Sequence, residues 1–352
     1  MKSDATHSPV MTAAVPLPDW WEEVGVPLEK LPPPDEKARR GAKARQQQLT
    51  KPPGSLGRLE DIAIWLAGWQ GREIPKLERV QALVFAGNHG VTAQDVSPYP
   101  ASVTAQMVEN FRRGGAAICQ LCAAYQIDLD VIALSLDSPT GDITESEAMT
   151  PEGCIAALRR GMAAVPGHAD ALVLGEMGIG NTTIAAALAH ALLGGRAQDW
   201  AGPGTGLDAQ GISRKAAAVA ASVERHVRGD LHPFEILRRL GGREIAALCG
   251  AMLQARLNRI PVFLDGYVAG AAALVLARAQ RHALAHCIAS HVSAEPGHRR
   301  MLEALSLAPL LDLGMRLGEG TGAALALGLA RGAVAAHAGM ATFAQAGVDG
   351  RK

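Results

Sequence analysis

The stretch ADALVLGEMGIGNTTIAAALAHALL, residues 169–193, decides the fold class. It begins with a short apolar run, continues through a glycine-rich loop and ends in an Ala/Leu-rich segment typical of a helix. A strand that is apolar throughout, with no alternating polar residues, is typical of a sheet covered on both faces. This stretch therefore predicts a strand–loop–helix unit of a parallel α/β sheet.

The same pattern recurs on both sides of this unit, at VQALVFAGNHG (80–90), IDLDVIALSL (127–136), IPVFLDGYVAGAAALVLARA (260–279) and AHCIASHVSAEPGHRRMLEAL (285–305). Helices are predicted for 36–49, 102–125, 152–165 and much of 211–257, and Ser55 is predicted to cap a further helix that ends near Gly68. Repeated strand–helix units imply a doubly wound, mostly parallel sheet with helices on both faces. Ligands of such sheets bind beyond the carboxyl ends of the strands. We therefore expect the unusual loops to form one composite site.

Composition narrows the class of protein. The 352 residues are 48% hydrophobic and 19% charged, with 34 basic and 34 acidic side chains, which indicates a globular protein and argues against a nucleic-acid partner. The N-terminus lacks the apolar region of a signal peptide, and the long apolar runs contain Arg278 and Arg331, which favours buried helices over membrane spans. Cys119 and Cys122 are expected to pack on one helix face. A cytoplasmic protein with no membrane partner is predicted.

The loop GEMGIGNTT, residues 175–183, has the physical features of a phosphate cradle. Gly178 and Gly180 allow a ligand to approach the backbone, and Asn181, Thr182 or Thr183 is predicted to cap the helix that follows. The loop is neither a Walker loop nor a dinucleotide fingerprint. An ordinary strand-to-helix turn explains it equally well. An acid repels phosphate, so Glu176 is better suited to hold sugar hydroxyls.

Three further loops carry candidate residues. GPGTGLDAQGISRK (202–215) offers Lys215 as a charge for phosphate, although a solvated lysine is the commoner case. Asp265 of LDGYVAG is either a site residue or a helix cap. The polar and apolar mixture of AGNHGVTAQDVSPYP (86–100) suits a flat aromatic ligand, or else it is a long surface loop. SHVSAE lacks a nucleophile elbow, and His282 with His286 lacks the motif of a zinc enzyme, so neither a hydrolase triad nor a metal site is favoured.

The stretch LGEGTGAALALGLARG, residues 317–332, places Glu319 between two glycines just before an apolar helix. On the local pattern alone an ordinary acid in a first turn is favoured, because acids are common at helix starts. The alternative is a carboxylate that accepts a proton from a ligand lying close to the glycines.

Eight motifs in this order resemble the nicotinate-nucleotide–dimethylbenzimidazole phosphoribosyltransferase family: KPPGSLGRLE (51–60), NHGV (88–91), SVTAQM (102–107), GEMGIGNTT, SRK (213–215), LDGYVAGAAAL (264–274), SHVSAE (290–295) and MRLGEGTGAALAL (315–327). The resemblance extends over residues 36–345. It implies a large parallel α/β domain beside a smaller helical one. It also implies a homodimer in which each site is completed by the neighbouring chain. We accordingly divide the chain into an irregular arm (1–35), a helical segment of the small domain (36–75), the α/β domain (76–335) and a C-terminal segment (336–352).

The resemblance implies transfer of the 5-phosphoribosyl group of nicotinate mononucleotide to 5,6-dimethylbenzimidazole, without a metal or another cofactor. It shifts the interpretation of Glu319 from an ordinary first-turn acid to the general base. The expected phosphate and ribose residues are Glu176, Gly178, Gly180, Asn181, Gly204, Lys215 and Ser293. The expected base-binding residues are Asn88, His89, Ser97, Tyr99, Gln106, Met107 and Leu317.

Two departures and three alternatives accompany the resemblance. Many members have Asp where this chain has Asn88, and the Trp20–Trp21 pair of the arm has no assigned counterpart. A dehydrogenase is disfavoured because the full G-x-G-x-x-G fingerprint is absent from the sequence. A non-catalytic nucleotide-binding protein is disfavoured because Glu319, Glu176 and Lys215 are present. A different base acceptor, such as adenine, stays open.

Overall fold

The computed structural model describes residues 15–349. Within that range one sheet is formed by β1 (Val80–Ala86), β2 (Asp128–Ala133), β3 (Ala171–Met177), β4 (Val262–Leu264) and β5 (Cys287–Ala289). The strand order is β2-β1-β3-β4-β5, and each neighbouring pair is parallel. The predicted doubly wound parallel sheet is confirmed.

The helices lie between and around these strands. They are α1 (Trp21–Val24), α2 (Glu36–Gln48), α3 (Arg58–Gln70), α4 (Ser102–Arg112), α5 (Ala117–Ala124), α6 (Pro151–Ala164), α7 (Asn181–Leu193), α8 (Ala209–His226), α9 (Pro233–Leu240), α10 (Arg243–Leu257), α11 (Tyr267–Ala279), α12 (Pro296–Ala304), α13 (Thr321–Gly339) and α14 (Phe343–Ala346). Short 3-10 helices occupy Leu28–Lys30, Gly90–Gln94 and Ala197–Asp199. None of the helices described is long and apolar enough to cross a membrane.

Both faces of the sheet are covered by helices, which explains why the inner strands β1, β3 and β4 are mostly apolar. The edge strand β2 differs, since its Asp128 and Asp130 are exposed. Alternate residues of β1 enter opposite cores, with Leu83 and Phe85 on one face and Ala82 and Val84 on the other. The first core includes residues of α6, α7, α9, α10 and α11, and the second includes residues of α3, α4, α5 and α13. The carboxyl ends of the strands are thereby left as the accessible edge for a ligand.

Two local predictions were wrong. The helix predicted for 102–125 is two helices, because Gly114 adopts a left-handed conformation (φ 76°) and ends the first one. Ser55 does not cap α3, which begins at Arg58 after Gly57 and has no side-chain cap. The chain reaches α3 through a series of turns after Lys51 instead.

The part of the N-terminal arm that the structure describes packs firmly on the α/β core. Trp21 is buried and its ring stacks on Phe234 of α9 with centroids 3.7 Å apart. The Trp20 indole donates a hydrogen bond to Glu235 on the same helix. Residues 1–14 of the predicted arm and residues 350–352 of the C-terminal segment lie outside the described residues. The proposed domain boundaries stay predictions.

Candidate active site

A cavity of about 630 Å³ opens at the carboxyl ends of β3, β4 and β5. Its walls combine carboxylates, backbone glycines and apolar side chains. They comprise Tyr99, Val103, Met107, Glu176, Met177, Gly178, Ile179, Asn181, Thr182, Gly204, Thr205, Gly266, Tyr267, Val268, His291, Ser293, Glu295, Arg316, Leu317, Gly318 and Glu319. The size and the mixed lining suit a small-molecule ligand.

Glu319 occupies a strained turn on the wall of this cavity. Its φ is 65°, in the left-handed region that side chains other than glycine rarely adopt, and both flanking glycines are also left-handed. The turn lies against β3, where its backbone N–H donates to the carbonyl of Glu176. A Cβ on Gly175 would come within 2.5 Å of the Glu319 backbone, so glycine is required there for this approach. Strain of this kind at a cavity wall is typical of a functional position.

The environment of the Glu319 carboxyl suits a proton acceptor. Burial raises its pKa to about 7, a hydrogen bond from the Ile118 backbone N–H opposes this rise, and the negative charge of Asp265 adds to it. Oε2 is buried and has no hydrogen-bond partner among the described residues. A carboxyl whose pKa lies near neutrality is well matched to general-base work at physiological pH.

Glu176 lies at the end of β3, inside the same cavity. Its pKa is raised to about 8, chiefly by burial and then by the negative charges of Asp265, Glu244 and Glu319, while the hydrogen bond from the Asn181 amide opposes the rise. The Asn181 amide donates a hydrogen bond to its carboxylate. An opposite charge placed beside such a carboxyl favours its ionised form.

Asp265 is not the cap of the helix that directly follows it, which begins after Gly266 without a side-chain cap. Its carboxylate accepts hydrogen bonds from the backbone N–H groups of Gly320 (2.9 Å) and Ala323 (3.1 Å) instead. It therefore caps α13, the helix that follows Glu319, and holds the strained turn in place. His291 lies 3.4 Å from the same carboxylate.

The N-terminus of α7 forms the other end of the cavity. Its N-cap is Gly180 (φ 90°) without a side-chain hydrogen bond, so the prediction that Asn181, Thr182 or Thr183 caps it was wrong. In the first turn the N–H groups of Asn181 and Thr183 donate to the carbonyls of Gly178 and Gly180, and the N–H of Thr182 has no partner among the described residues. This N–H and the positive end of the helix dipole favour an anion.

Lys215 stands behind this helix end and is completely buried, so the alternative of a solvated lysine was wrong. Its Nζ donates to Thr182 Oγ1 (2.8 Å) and to the carbonyl of Gly202 (3.1 Å). Burial lowers the pKa of Lys215 to about 8, and the nearby Glu295 opposes this shift. The ammonium thus adds positive charge to the anion end of the cavity without lining it.

Nine of the predicted site residues line the cavity together: Tyr99, Met107, Glu176, Gly178, Asn181, Gly204, Ser293, Leu317 and Glu319. Gly180, Lys215, Ser97 and Gln106 do not line it. Ser97 is close to the mouth, where its hydroxyl is 3.0 Å from that of Thr205. Tyr99 and Leu317 are more than half exposed, so the apolar end of the cavity is open in a single chain.

The structure places Asn88 and His89 beneath the cavity rather than on its wall. The Asn88 amide donates to the carbonyl of Leu136. His89 is fully buried with Nε2 2.9 Å from a carboxylate oxygen of Glu244. A Cβ on Gly178 would approach His89 Nε2 to 3.0 Å, so the pair supports the glycine loop from below.

The sequence analysis did not assign Thr205, Tyr267, His291, Glu295 or Arg316 to the site. His291 and Glu295 belong to SHVSAE at a strand end, and that position was the available signal. Arg316 belongs to the motif MRLGEGTGAALAL, and that membership was the available signal for it. Within residues 15–349 no group of three or more His, Cys, Asp or Glu side chains could hold a metal ion.

A parallel sheet with carboxylates and the N-terminus of a helix at its carboxyl edge suits an enzyme acting on a phosphorylated sugar. A family model described as phosphoribosyltransferase matches residues 31–348. The fold, the site and this match define the chain as a phosphoribosyltransferase.

The relatives define the family within that class. The nicotinate-nucleotide–dimethylbenzimidazole phosphoribosyltransferase of Rhizobium leguminosarum bv. trifolii is 59% identical over 92% of this chain and 96% of its own. The enzyme of the same name from Brucella anthropi is 56% identical over the same shares. The crystal structure of the Thermus thermophilus enzyme superposes with a TM-score of 0.84 at 40% identity, covering 90% of this chain and 100% of that one. The chain belongs to the nicotinate-nucleotide–dimethylbenzimidazole phosphoribosyltransferase family.

Proposed function

We propose that the chain transfers the 5-phosphoribosyl group of nicotinate mononucleotide to 5,6-dimethylbenzimidazole, with Glu319 as the general base. The observation that carries this proposal is the strained Glu319 turn on the wall of the cavity (φ 65°, pKa raised to about 7). Apolar side chains on the same wall, from Met107 and Leu317, suit the flat acceptor.

In the proposed step, one nitrogen of the acceptor bonds to C1′ of the ribose as the bond from C1′ to the pyridine nitrogen breaks. Nicotinate leaves, and the product is α-ribazole 5′-phosphate. The positive charge on the acceptor is removed when its second nitrogen gives its proton to Glu319. Attack on the face opposite the leaving group converts a β-linked substrate into an α-linked product.

Glu176 is proposed to stabilise the positive charge that develops on the ribose. The pyridinium of the bound nucleotide is itself cationic and favours the ionised form of a neighbouring carboxyl. Preorganised charge inside a cavity that excludes water is an effective form of transition-state stabilisation. Asn181 already donates to this carboxylate and orients it.

The phosphate is proposed to lie at the N-terminus of α7, beside Gly178 and Gly204 and in front of the Lys215 ammonium. Ser293, which lines the cavity, is proposed to contact the ribose. We further propose a cytoplasmic homodimer, in which the exposed mouth near Tyr99 and Leu317 is covered by the neighbouring chain. The predicted base-binding roles of Asn88, His89, Ser97 and Gln106 stay hypotheses.

A product assay tests the proposed function. Purified protein is mixed with nicotinate mononucleotide and dimethylbenzimidazole, and α-ribazole 5′-phosphate is sought by chromatography and mass spectrometry. Product formation supports the proposal. Absence of product, with the nucleotide still bound, would show that the acceptor is wrong and would call for adenine and other bases.

The pH dependence follows from the raised pKa of Glu319. The base must be ionised to accept a proton, so kcat/KM for the acceptor should rise tenfold per pH unit below about pH 7 and level off above it. Initial rates between pH 5.5 and 9 measure this, with the titration of the acceptor recorded separately. If kcat/KM for the acceptor does not change between pH 6 and 8, Glu319 is not the general base.

Lys215→Met keeps the length of the side chain and removes its charge. Because the ammonium acts at the anion end of the cavity, we expect the KM for nicotinate mononucleotide to rise about 10- to 100-fold with a smaller change in kcat. Steady-state kinetics at several nucleotide concentrations measure the two constants. A variant with normal thermal stability and an unchanged KM would show that the charge of Lys215 does not serve the nucleotide.

A further inference from the structure

His291 is a buried titratable side chain on the cavity wall to which the proposed mechanism gives no role. It is 2% exposed, and neither ring nitrogen makes a well-aligned hydrogen bond with a described residue. Its Nε2 lies 3.4 Å from Oδ1 of Asp265, and it is the one basic side chain of the described residues within 4 Å of that carboxylate. A carboxylate oxygen only accepts hydrogen bonds, so this neighbour favours the imidazole tautomer with the hydrogen on Nε2.

Asp265 links this histidine to the turn that contains Glu319. Its Oδ2 accepts the N–H of Gly320 (2.9 Å) and its Oδ1 accepts the N–H of Ala323 (3.1 Å), so the start of α13 uses both oxygens. Gly320 directly follows Glu319, and both residues have a positive φ, of 90° and 65°. A displacement of the Asp265 carboxylate would therefore release the strained turn next to the proposed base.

The backbone of His291 is fixed to the sheet. The N–H of Ser290, the preceding residue, donates to the carbonyl of Leu264 at 3.0 Å, and His291 itself forms a parallel bridge with Leu311. Leu264 ends β4 and directly precedes Asp265. The histidine and the aspartate therefore extend from neighbouring strands whose spacing is set by the backbone.

Two glycines make room for the imidazole ring. A Cβ on Gly322, in the first turn of α13, would be 2.0 Å from Cδ2 of His291, and one on Gly266 would be in ordinary contact with Nε2 at 3.4 Å. The ring thus lies directly against the backbone of α13 as well as beside Asp265. A buried ring confined in this way restrains both the carboxylate and the start of the helix.

We infer that His291 is a positioning residue for the general base: it fixes the Asp265 carboxylate, which in turn holds the turn that contains Glu319. The inference rests on the proposed function, since it takes Glu319 as the base. A general base must lie within hydrogen-bond reach of the proton that it accepts, and a small misplacement lowers the rate strongly. No proton is transferred to or from His291 in this role.

The test compares two replacements of the histidine. His291→Leu removes the nitrogen that faces Asp265, whereas His291→Gln places an amide N–H close to the position of Nε2. We expect His291→Leu to lower kcat about 10- to 100-fold and to leave the Kd of nicotinate mononucleotide unchanged, and His291→Gln to recover most of kcat. His286→Leu is the matched control, because this buried histidine precedes β5 at the opposite end of the strand, outside the cavity. Its kcat should equal that of the wild type.

The charge of Asp265 gives a second readout. Burial is the main cause of the raised pKa of Glu319 and of Glu176, and the negative charge of Asp265 raises both further. Asp265→Asn keeps the size of the side chain and removes this charge, so the rise of kcat/KM for the acceptor should move to lower pH by about one unit. His298, the other titratable group beside the pair, stays neutral in this range because burial lowers its pKa to about 3.

Crystal structures of the wild type and the two His291 variants supply a readout that does not depend on turnover. The turn at residues 318–320 should be displaced from β3 in His291→Leu and restored in His291→Gln. A wild type that forms no product would count against the proposed reaction alone, because the position of the turn would still show whether His291 holds Glu319.

Five results would overturn the inference. A raised Kd of the nucleotide with a normal kcat in His291→Leu would make His291 a ligand contact. Equal losses in the Leu and Gln variants would mean that the N–H does not fix Asp265, and the same loss in His286→Leu would reduce the effect to general destabilisation. An unchanged pH profile in Asp265→Asn, or an unmoved turn in His291→Leu, would separate these residues from Glu319.

Discussion

Glu319→Gln should lower kcat by about 100- to 10,000-fold and leave the dissociation constant of nicotinate mononucleotide nearly unchanged. Glutamine preserves the size of the side chain but cannot accept the acceptor's proton. The nucleotide's phosphate and ribose are expected to contact other groups, so its binding should persist. Stopped-time product assays and calorimetry measure the two quantities independently.

A second variant separates catalysis from folding. Glu319 has φ 65°, a conformation that costs a residue with a side chain about 1 kcal/mol or more and costs glycine little. Its buried Oε2 also lacks a partner among the described residues. Glu319→Gly should therefore melt at or above the wild-type temperature and still be inactive. An inactive variant that also melts several degrees lower would indicate that the carboxyl is needed for structure, and turnover close to normal in Glu319→Gln would exclude it as the base.

The fold could be predicted because the evidence for it is local. Most strands are short apolar runs that lead through a polar or glycine-rich loop toward a helix, and this succession is visible within about 25 residues. The edge strand β2 is the exception, with two exposed aspartates. The break between α4 and α5 was missed although Gly114 and Gly115 mark it, since glycine is tolerated inside helices often enough to be ambiguous.

The site was predictable only in part, because several of its residues act through partners far away in the chain. Asp265 looks like the cap of its own helix, but it caps α13, whose N–H groups are 55 and 58 residues further on. His89 precedes Glu244 by more than 150 residues, and nothing near either residue indicates that they pair. Lys215 resembles a surface lysine because its burial results from packing between α8 and α7.

The role of two glycines inside helices also depends on a partner far away in the chain, and it supports a strong prediction. Gly161 of α6 and Gly250 of α10 lie where these two helices cross. A Cβ on Gly161 would be 1.8 Å from the carbonyl oxygen of Ala247, and one on Gly250 would be 1.9 Å from that of Leu158. From sequence alone each glycine only weakens its helix, by about 1 kcal/mol relative to alanine. The reason for both is the close approach of the two backbones.

Gly250→Ala should therefore destabilise the protein by about 3 kcal/mol or more, because two backbones must separate to admit one methyl group. Gly153→Ala, near the start of α6, is the matched control. Its Cβ would lie 3.5 Å from Thr150 Oγ1, an ordinary contact, so the change should stabilise the helix by about 0.5–1 kcal/mol. Urea unfolding of the wild type and the two variants measures both effects.

Gly250→Ala should also raise the KM for the nucleotide. The reason is that α10 begins with Arg243 and Glu244, and Glu244 pairs with the His89 ring that lies against the Gly178 loop. Equal stabilities of the two variants would show that the helices can part at this crossing without cost, contrary to the geometry.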